Sequence, residues 1–271
     1  MKHITKIIII VAALVSSAAA SPRVISLDYC SDQYVLKLAD KEQIIAVSRG
    51  ADKDYSYMRD EAKNHKRIRP SPEEVLILEP DLVIRQWGGG VGATETLSQF
   101  GAKVVSLGYP EDFGGVKANI RMVASALDQV DRGEQLIDEM QSRLDAVKSN
   151  TTDQKRALYV TPGGVTAGAH TMIDAILTAA GLINIAAADG EIYWPPLPAE
   201  SLLLNPPAVI VTGFFLSRDQ DINYWSAARH PAIEQQFEKT PTIHLPPDVI
   251  SCAAWFAVDA VEQIAQQREA K

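Results

Sequence analysis

Two stretches of alternating short strands and short helices flank one long run without proline, and that arrangement limits the chain more than any other feature. From Gly115 to Lys148 apolar residues recur at Ile120, Val123, Leu127, Val130, Leu136, Ile137, Met140, Leu144 and Val147. The steps are mainly three and four, which is one face of a helix. Gly133 is the single weak point, by about 1 kcal/mol against alanine. One continuous helix over this run would span roughly 45–50 Å at 1.5 Å per residue. That is enough to run the length of a small bilobal protein.

The flanking halves share a plan. In the first, Arg23 to Leu27, Ile44 to Val47, Leu82 to Arg85 and Lys103 to Leu107 read as strands. Ser31 or Asp32 is placed to cap a helix reaching about Ala39. Ser71-Pro72-Glu73-Glu74 has an N-cap, a proline at N1 and acids in the first turn. In the second half, Ala157 to Val160, Ala208 to Thr212 and Thr242 to Leu245 read as strands, with helices over His170 to Ala180, Ala199 to Leu204 and Cys252 to Gln267. "SPEEVLILEPDLVI" and "LPAESLLLNPPAVIV" repeat the same order of capped helix, proline turn and buried strand. The expectation is an α/β protein of two Rossmann-like lobes, 21–113 and 151–271, joined by a single long backbone helix within 114–150.

Met1 to Ala20 carries Lys2 and Lys6, an apolar run from Ile7 to Val15, and Ala18-Ala19-Ala20. This is a signal-peptide pattern with cleavage after Ala20, too short and wrongly flanked for a membrane span. Export to the periplasm is expected. The net charge is −8, and removal of Lys2 and Lys6 makes it more negative still. That excludes a general nucleic-acid binder, which needs clustered basic residues. Export permits a disulfide between Cys30 and Cys252, and the sequence leaves bonded and free states open.

Gly88, Gly90 and Ala93 fit G-x-G-x-x-A after a strand, and Glu111-Asp112 follows at about the distance of a ribose-binding acid. The acid, however, lies beyond the next strand, in a loop before the long helical run. The plainer reading is a glycine loop that lets a ligand or a backbone approach closely. There is no G-x-S-x-G elbow and no phosphate-loop motif. His65, His170, His230 and His244 are dispersed, which fits surface or capping roles.

Aromatic residues and arginines collect where strands end. Tyr29 follows the first strand, Arg85, Trp87 and Gly88 the third, and Tyr109 the fourth. In the second half Trp194, Phe214, Arg218 and Trp255 occupy loops or helix starts. Ligands of open α/β sheets bind outside the carboxyl ends of the strands. Two lobes presenting such ends to each other would form an aromatic cleft suited to a large, partly apolar ligand.

Three segments carry a family likeness. "RVISLDYCSDQYVLKLADKEQIIAVS", "SPEEVLILEPDLVI" and "AGAHTMIDAILTAAGLINIA" resemble the periplasmic binding proteins for cobalamin and ferric siderophores that feed ABC importers. Gln86-Trp87-Gly88-Gly89 and Trp194-Pro195 with Glu200 are similar to further family elements. The resemblance implies a class III periplasmic binding protein with limited hinge motion, a monomer without a cofactor. Its ligand would be a chelated metal, a ferric siderophore, cobalamin or haem, oriented through Arg85 or Arg218. It implies a permease dimer as partner, docked through Glu73 and Glu200. Asp28-Tyr29-Cys30 departs from the family's usual segment. A Cys30–Cys252 bond would clamp the cleft, so reduced or conditionally bonded thiols are the expectation. A bare metal ion as ligand, an exported enzyme and a protein-contact scaffold are the alternatives.

Overall fold

The computed structural model describes residues 21–149, 154–198, 201–214 and 229–269. The expected signal peptide, Glu200 and Arg218 lie outside them. The first lobe contains β1 (Val24–Ser26), α1 (Tyr29–Leu38), β2 (Ile44–Ser48), α2 (Arg59–Ala62), β3 (Arg67–Ile68), α3 (Pro72–Leu76), β4 (Leu82–Arg85), α4 (Ala93–Gln99) and β5 (Lys103–Ser106). Two helices follow, α5 (Phe113–Ala126) and α6 (Val130–Ser149). The second lobe contains β6 (Lys155–Val160), α7 (Met172–Ala179), β7 (Leu182–Asn184), α8 (Ile185–Ala188), α9 (Ser201–Leu204), β8 (Val209–Gly213), α10 (Pro231–Lys239), β9 (Thr242–Leu245), α11 (Pro247–Ile250) and α12 (Ala257–Glu269).

Each lobe is built on a parallel sheet, ordered β3-β2-β1-β4-β5 in the first and β7-β6-β8-β9 in the second. Such sheets are covered on both faces, so their strands read as unbroken apolar runs. Alternate residues then serve opposite cores. Leu82 and Ile84 pack with α1, α5 and α6, whereas Val83 faces the core under Val75 and Leu97. Tyr159 and Leu158 divide in the same way in the second lobe.

The expected single helix over 115–148 is not continuous. The chain reverses at Leu127-Asp128-Gln129, with Asp128 at φ 60°, and α6 packs antiparallel on α5. Arg121 pairs with Glu134 at 2.7 Å, and Lys117 donates to Gln141. The apolar spacing did not show the turn because both helices face one core. Leu127, Leu136, Ile137 and Met140 all belong to the cluster beneath the first sheet. The lobes are nevertheless joined by one helix. It is α6, 20 residues and about 30 Å long. Its first half packs on the first lobe, and its later residues Leu144 and Val147 also reach the second. Arg143 on α6 binds Asp259 and Glu262 of α12 at 2.7 and 2.5 Å.

Cys30 and Cys252 are joined in a disulfide, with Cα atoms 5.5 Å apart, where reduced or only conditionally bonded thiols were expected. Cys252 lies between α11 and α12 rather than at a helix start. The bond does not close the mouth of the cleft. It ties the start of α1 to a segment already held by Tyr34, whose hydroxyl donates to Ala253 O at 2.9 Å. Ser251 adds a bond to Tyr55 O at 2.6 Å. That segment forms the floor between the lobes.

The cap of α1 also differs from expectation. Asp28 is the N-cap, Ser31 completes a capping box, and Asp32 is fully buried. Ser26 Oγ and Ser48 Oγ donate to Asp32, as does the Ser48 N–H at 2.9 Å. Desolvation outweighs these bonds and pushes the carboxyl up to about 7.

Two outcomes test this packing. A methyl added at Gly133 would fall 2.5 Å from the Ala124 Cβ across the hairpin. Helix propensity alone would make Gly133→Ala stabilising by about 1 kcal/mol, whereas overpacking costs about 1–3 kcal/mol. Urea unfolding of Gly133→Ala should therefore show a net loss; a gain would mean that the helices do not meet there. For Asp32, the folded protein holds a proton between the ordinary carboxylate pKa and about 7 that the unfolded chain has lost. Stability should fall as pH rises through that window. Relative to Asp32→Asn, wild type should lose on the order of 3 kcal/mol between pH 4 and 8; parallel curves would show that burial does not raise this carboxyl.

Candidate functional site

In the first sheet the chain runs outward from β1 in both directions, so the β1–β4 crevice is its switch point. Tyr29 leaves one side of it and Trp87 the other. In the second sheet the corresponding crevice lies between β6 and β8, and Phe214 leaves β8 there. The two crevices face each other across a cleft of about 400 Å³.

The glycine loop after β4 is the best-defined part of the site. Asp28 Oδ2 accepts from the backbone N–H groups of Gln86, Trp87 and Gly88 at 2.7, 3.1 and 3.0 Å. Asp28 Oδ1 accepts from Ser31 N at 2.9 Å. A ring of backbone N–H groups at such a turn is an anion cradle, and here the anion is the protein's own carboxylate. The N–H groups at the start of the loop are thus already taken by the protein itself, and no anion is bound at the start of α4 by this contact. A side chain at Gly88 would run into the Leu27 carbonyl, so only glycine lets the loop close on β1.

Five of the expected ligand residues line the cleft: Tyr29, Trp87 and Tyr109 from the first lobe, and Trp194 and Phe214 from the second. Trp87, Tyr109 and Trp194 are exposed there. Tyr29 meets Tyr55 and Trp87 edge-on, at ring separations of 4.7 and 5.0 Å. Burial pushes its hydroxyl pKa up. Trp194 lies edge-on to Tyr159, on a loop fixed by backbone bonds between Tyr193 and residues 168–169 at 2.8 Å.

Three expectations are corrected. Arg85 does not line the cleft; its guanidinium donates to Thr94 Oγ1 at 2.9 Å and to the Trp87 and Gly90 carbonyls, bracing the glycine loop from behind. Gly88 is absent from the lining too and acts through the turn. Trp255 is a core residue, 6% exposed, packed on Tyr34, Tyr57 and Phe256. Its place beside Cys252 put it near the cleft in sequence, but its ring turns into the first lobe's core.

Several lining residues left no sign in the sequence. Tyr159 sits fully buried at the floor, and its hydroxyl has no partner among the described residues. A buried donor of that kind is rare without a role, and desolvation raises its pKa strongly. Met172, Ile173 and Ile176 add an apolar wall. His170 Nδ1 meets Glu111 Oε2 at 3.0 Å, joining the lobes at one side. Only its position before a capped helix hinted at His170. Among the described residues no three His, Cys, Asp or Glu side chains gather as a metal-ligand set, and no helix is long and apolar enough to cross a membrane.

Comparison with known proteins agrees with this architecture. A cobalamin-binding protein of Halobacterium salinarum is 26% identical over 202 residues, covering 72% of this chain and 55% of that protein. The chain thus spans little more than half the length of that relative. The apo periplasmic heme-binding protein RhuT of Roseiflexus sp. RS-1 superposes with a TM-score of 0.70 at 22% identity, covering 91% of this chain and 99% of that one. The periplasmic vitamin B12-binding protein BtuF of Vibrio cholerae gives 0.68 at 19% identity, covering 92% and 98%. Both likenesses are of fold, the two-lobed α/β architecture described above. The periplasmic binding protein family matches residues 24–246, and this chain belongs to it.

Proposed function

We propose that this protein, exported and freed of residues 1–20, captures a chelated metal in the interlobe cleft and delivers it to an ABC importer. The reading is of a binding protein, with residues 21–113 and 151–271 as jaws and 114–150 as their connector. One observation carries it: an open cleft at two facing switch points, walled by exposed aromatic rings from both lobes. Rings of this kind bind by stacking and apolar burial, and such pairs add about 0.5–1.5 kcal/mol beyond area. A bare ion would call for several converging His, Cys or carboxylate ligands; the described lining is mainly aromatic and aliphatic, with Glu111 and His170 as its acid and histidine. A scaffold using only its outer faces would fill the cleft with its own side chains, and this one is open. The similar cobalamin and heme proteins support a macrocyclic chelate.

Docking is assigned to Glu73 and Glu200. Glu73 is exposed in the first turn of α3, while its neighbour Glu74 is engaged with the Arg69 N–H at 2.8 Å. The helix N-terminus stabilises such an acid, and the same exposed charge is available to a basic permease surface.

Tryptophan fluorescence of the mature protein, titrated with cyanocobalamin, haemin and a ferric hydroxamate, tests capture. Saturable quenching by one of them below 1 µM is expected, with Trp87→Phe and Trp194→Phe each weakening binding about 3- to 30-fold. Absence of saturable quenching with all three would reject the chelate reading. For docking, Glu73→Arg with Glu200→Arg should leave that affinity within about twofold and lower uptake by reconstituted importer at least about tenfold. Uptake at the wild-type rate would remove both acids from the interface.

A further inference from the structure

A second hollow of about 990 Å³ opens behind one wall of the cleft, between the α5–α6 hairpin and α7. Glu111 and His170 belong to both spaces. Their side chains meet at 3.0 Å, so this pair is a bar between the cleft and the side chamber. The two side chains are 59% and 51% exposed for His170 and Glu111. A solvated pair of this kind holds weakly and parts readily. His170 also sits at φ +61°. Of the five non-glycine residues with positive φ among the described residues, His170, Tyr193 and Phe214 all line the cleft. Such conformations persist where the surrounding structure holds a side chain in a required place, and they cluster at ligand clamps.

The chamber differs chemically from the cleft. Carboxylates of Glu111, Asp112, Asp145 and Asp174 edge it, with Lys148 as the one ammonium among the described lining residues. A carboxylate-bearing group entering it would meet mostly like charge, whereas an amide or ammonium group would find acceptors. The aromatic cleft suits the ring system of a chelate and the chamber suits its hydrogen-bonding periphery.

We propose that the side chamber is a second compartment of the ligand site, taking a hydrogen-bond-donating arm, amide or ammonium, of a chelate whose ring system occupies the cleft. The His170–Glu111 pair parts to admit it. This rests on the chelate reading of the cleft and deepens it to a ligand class. A corrinoid carrying amide arms fits both compartments, and a haem carrying carboxylate arms fits only the cleft.

Calorimetry with cyanocobalamin and with haemin, on full-length mature protein, tests this. Thr178 is exposed and lines the chamber but not the cleft, so Thr178→Trp fills the chamber alone. Asp145 is exposed on α6 and likewise lines only the chamber, so Asp145→Lys reverses part of its charge without touching a core. Wild type should bind one cyanocobalamin. Thr178→Trp should weaken it at least tenfold and leave haemin within twofold. Asp145→Lys should move the two probes in opposite directions, weakening cyanocobalamin and strengthening haemin. Unchanged cyanocobalamin affinity in both variants overturns the chamber while the cleft reading stands. So does a wild type that binds haemin but not cyanocobalamin. A stoichiometry of two, with one site lost in Thr178→Trp, overturns the arm in favour of a second whole ligand. Wild type that binds neither probe overturns the chamber proposal; if it also fails with the ferric hydroxamate, the chelate reading falls with it.

Discussion

One carboxylate organises the first lobe's half of the site. Asp28 ends the turn after β1, caps α1 and gathers three backbone N–H groups of the loop after β4. It is 4% exposed. The bond from the Gly88 N–H is buried, and that donor would cost about 1–3 kcal/mol if left unmet. The carboxylate thereby fixes how Tyr29 and Trp87, on either side of the switch point, sit against each other. The loop is locked from the other side by Arg85, whose guanidinium is spent on the same segment's carbonyls and Thr94. An acid in front and a base behind hold a glycine turn that would otherwise be among the softest parts of the chain. The result is a pre-set aromatic wall rather than one that orders on binding, and pre-setting lowers the entropy lost in capture.

Much of the fold was legible because parallel strands buried on two faces write plain apolar runs. Leu82-Val83-Ile84 and Val209-Ile210-Val211 admit few other readings. The two-residue β3 at Arg67–Ile68 and the short β7 were not visible, since an edge strand of that length has no period to detect. The reversal at Asp128 was hidden for a different reason. A helical hairpin that packs both arms on one core keeps a spacing of three and four through its turn. Gly133, read as a defect in one helix, is where two helices touch.

Sequence reading placed aromatic residues on the cleft where they follow a strand and stay exposed, as with Trp87 and Tyr109. The site was illegible where position depends on the other lobe. His170 and Glu111 are 59 residues apart, and nothing local in either says that they meet. Trp255 failed in the opposite sense. Its neighbours Ser251, Cys252 and Ala253 line the cleft, but the chain then turns and sends the indole beneath Tyr34. Arg85 shows the limit of reading charge from a strand end: its terminal nitrogens go to Thr94 and to carbonyls of its own loop, and its Nε is buried without a partner among the described residues.

The floor between the lobes bears on how the cleft can move. Residues 248–259 belong to the second half of the chain, yet Cys252, Trp255 and Phe256 pack in the first lobe's core. Arg59 pairs with Asp248 at 2.6 Å, and Tyr57 donates to Asp259 at 2.7 Å while its ring stacks on Phe256. The disulfide adds a covalent tie to the same segment. With α6 also gripping α12 through Arg143, the lobes are joined along their base by packing, ion pairs and a covalent bond together. These contacts together restrain relative movement of the lobes at their base. By contrast the side wall is joined by the solvated His170–Glu111 pair. Among the described residues, the joint at the side of the cleft is a solvated polar pair, whereas the floor is held by packing, ion pairs and a disulfide.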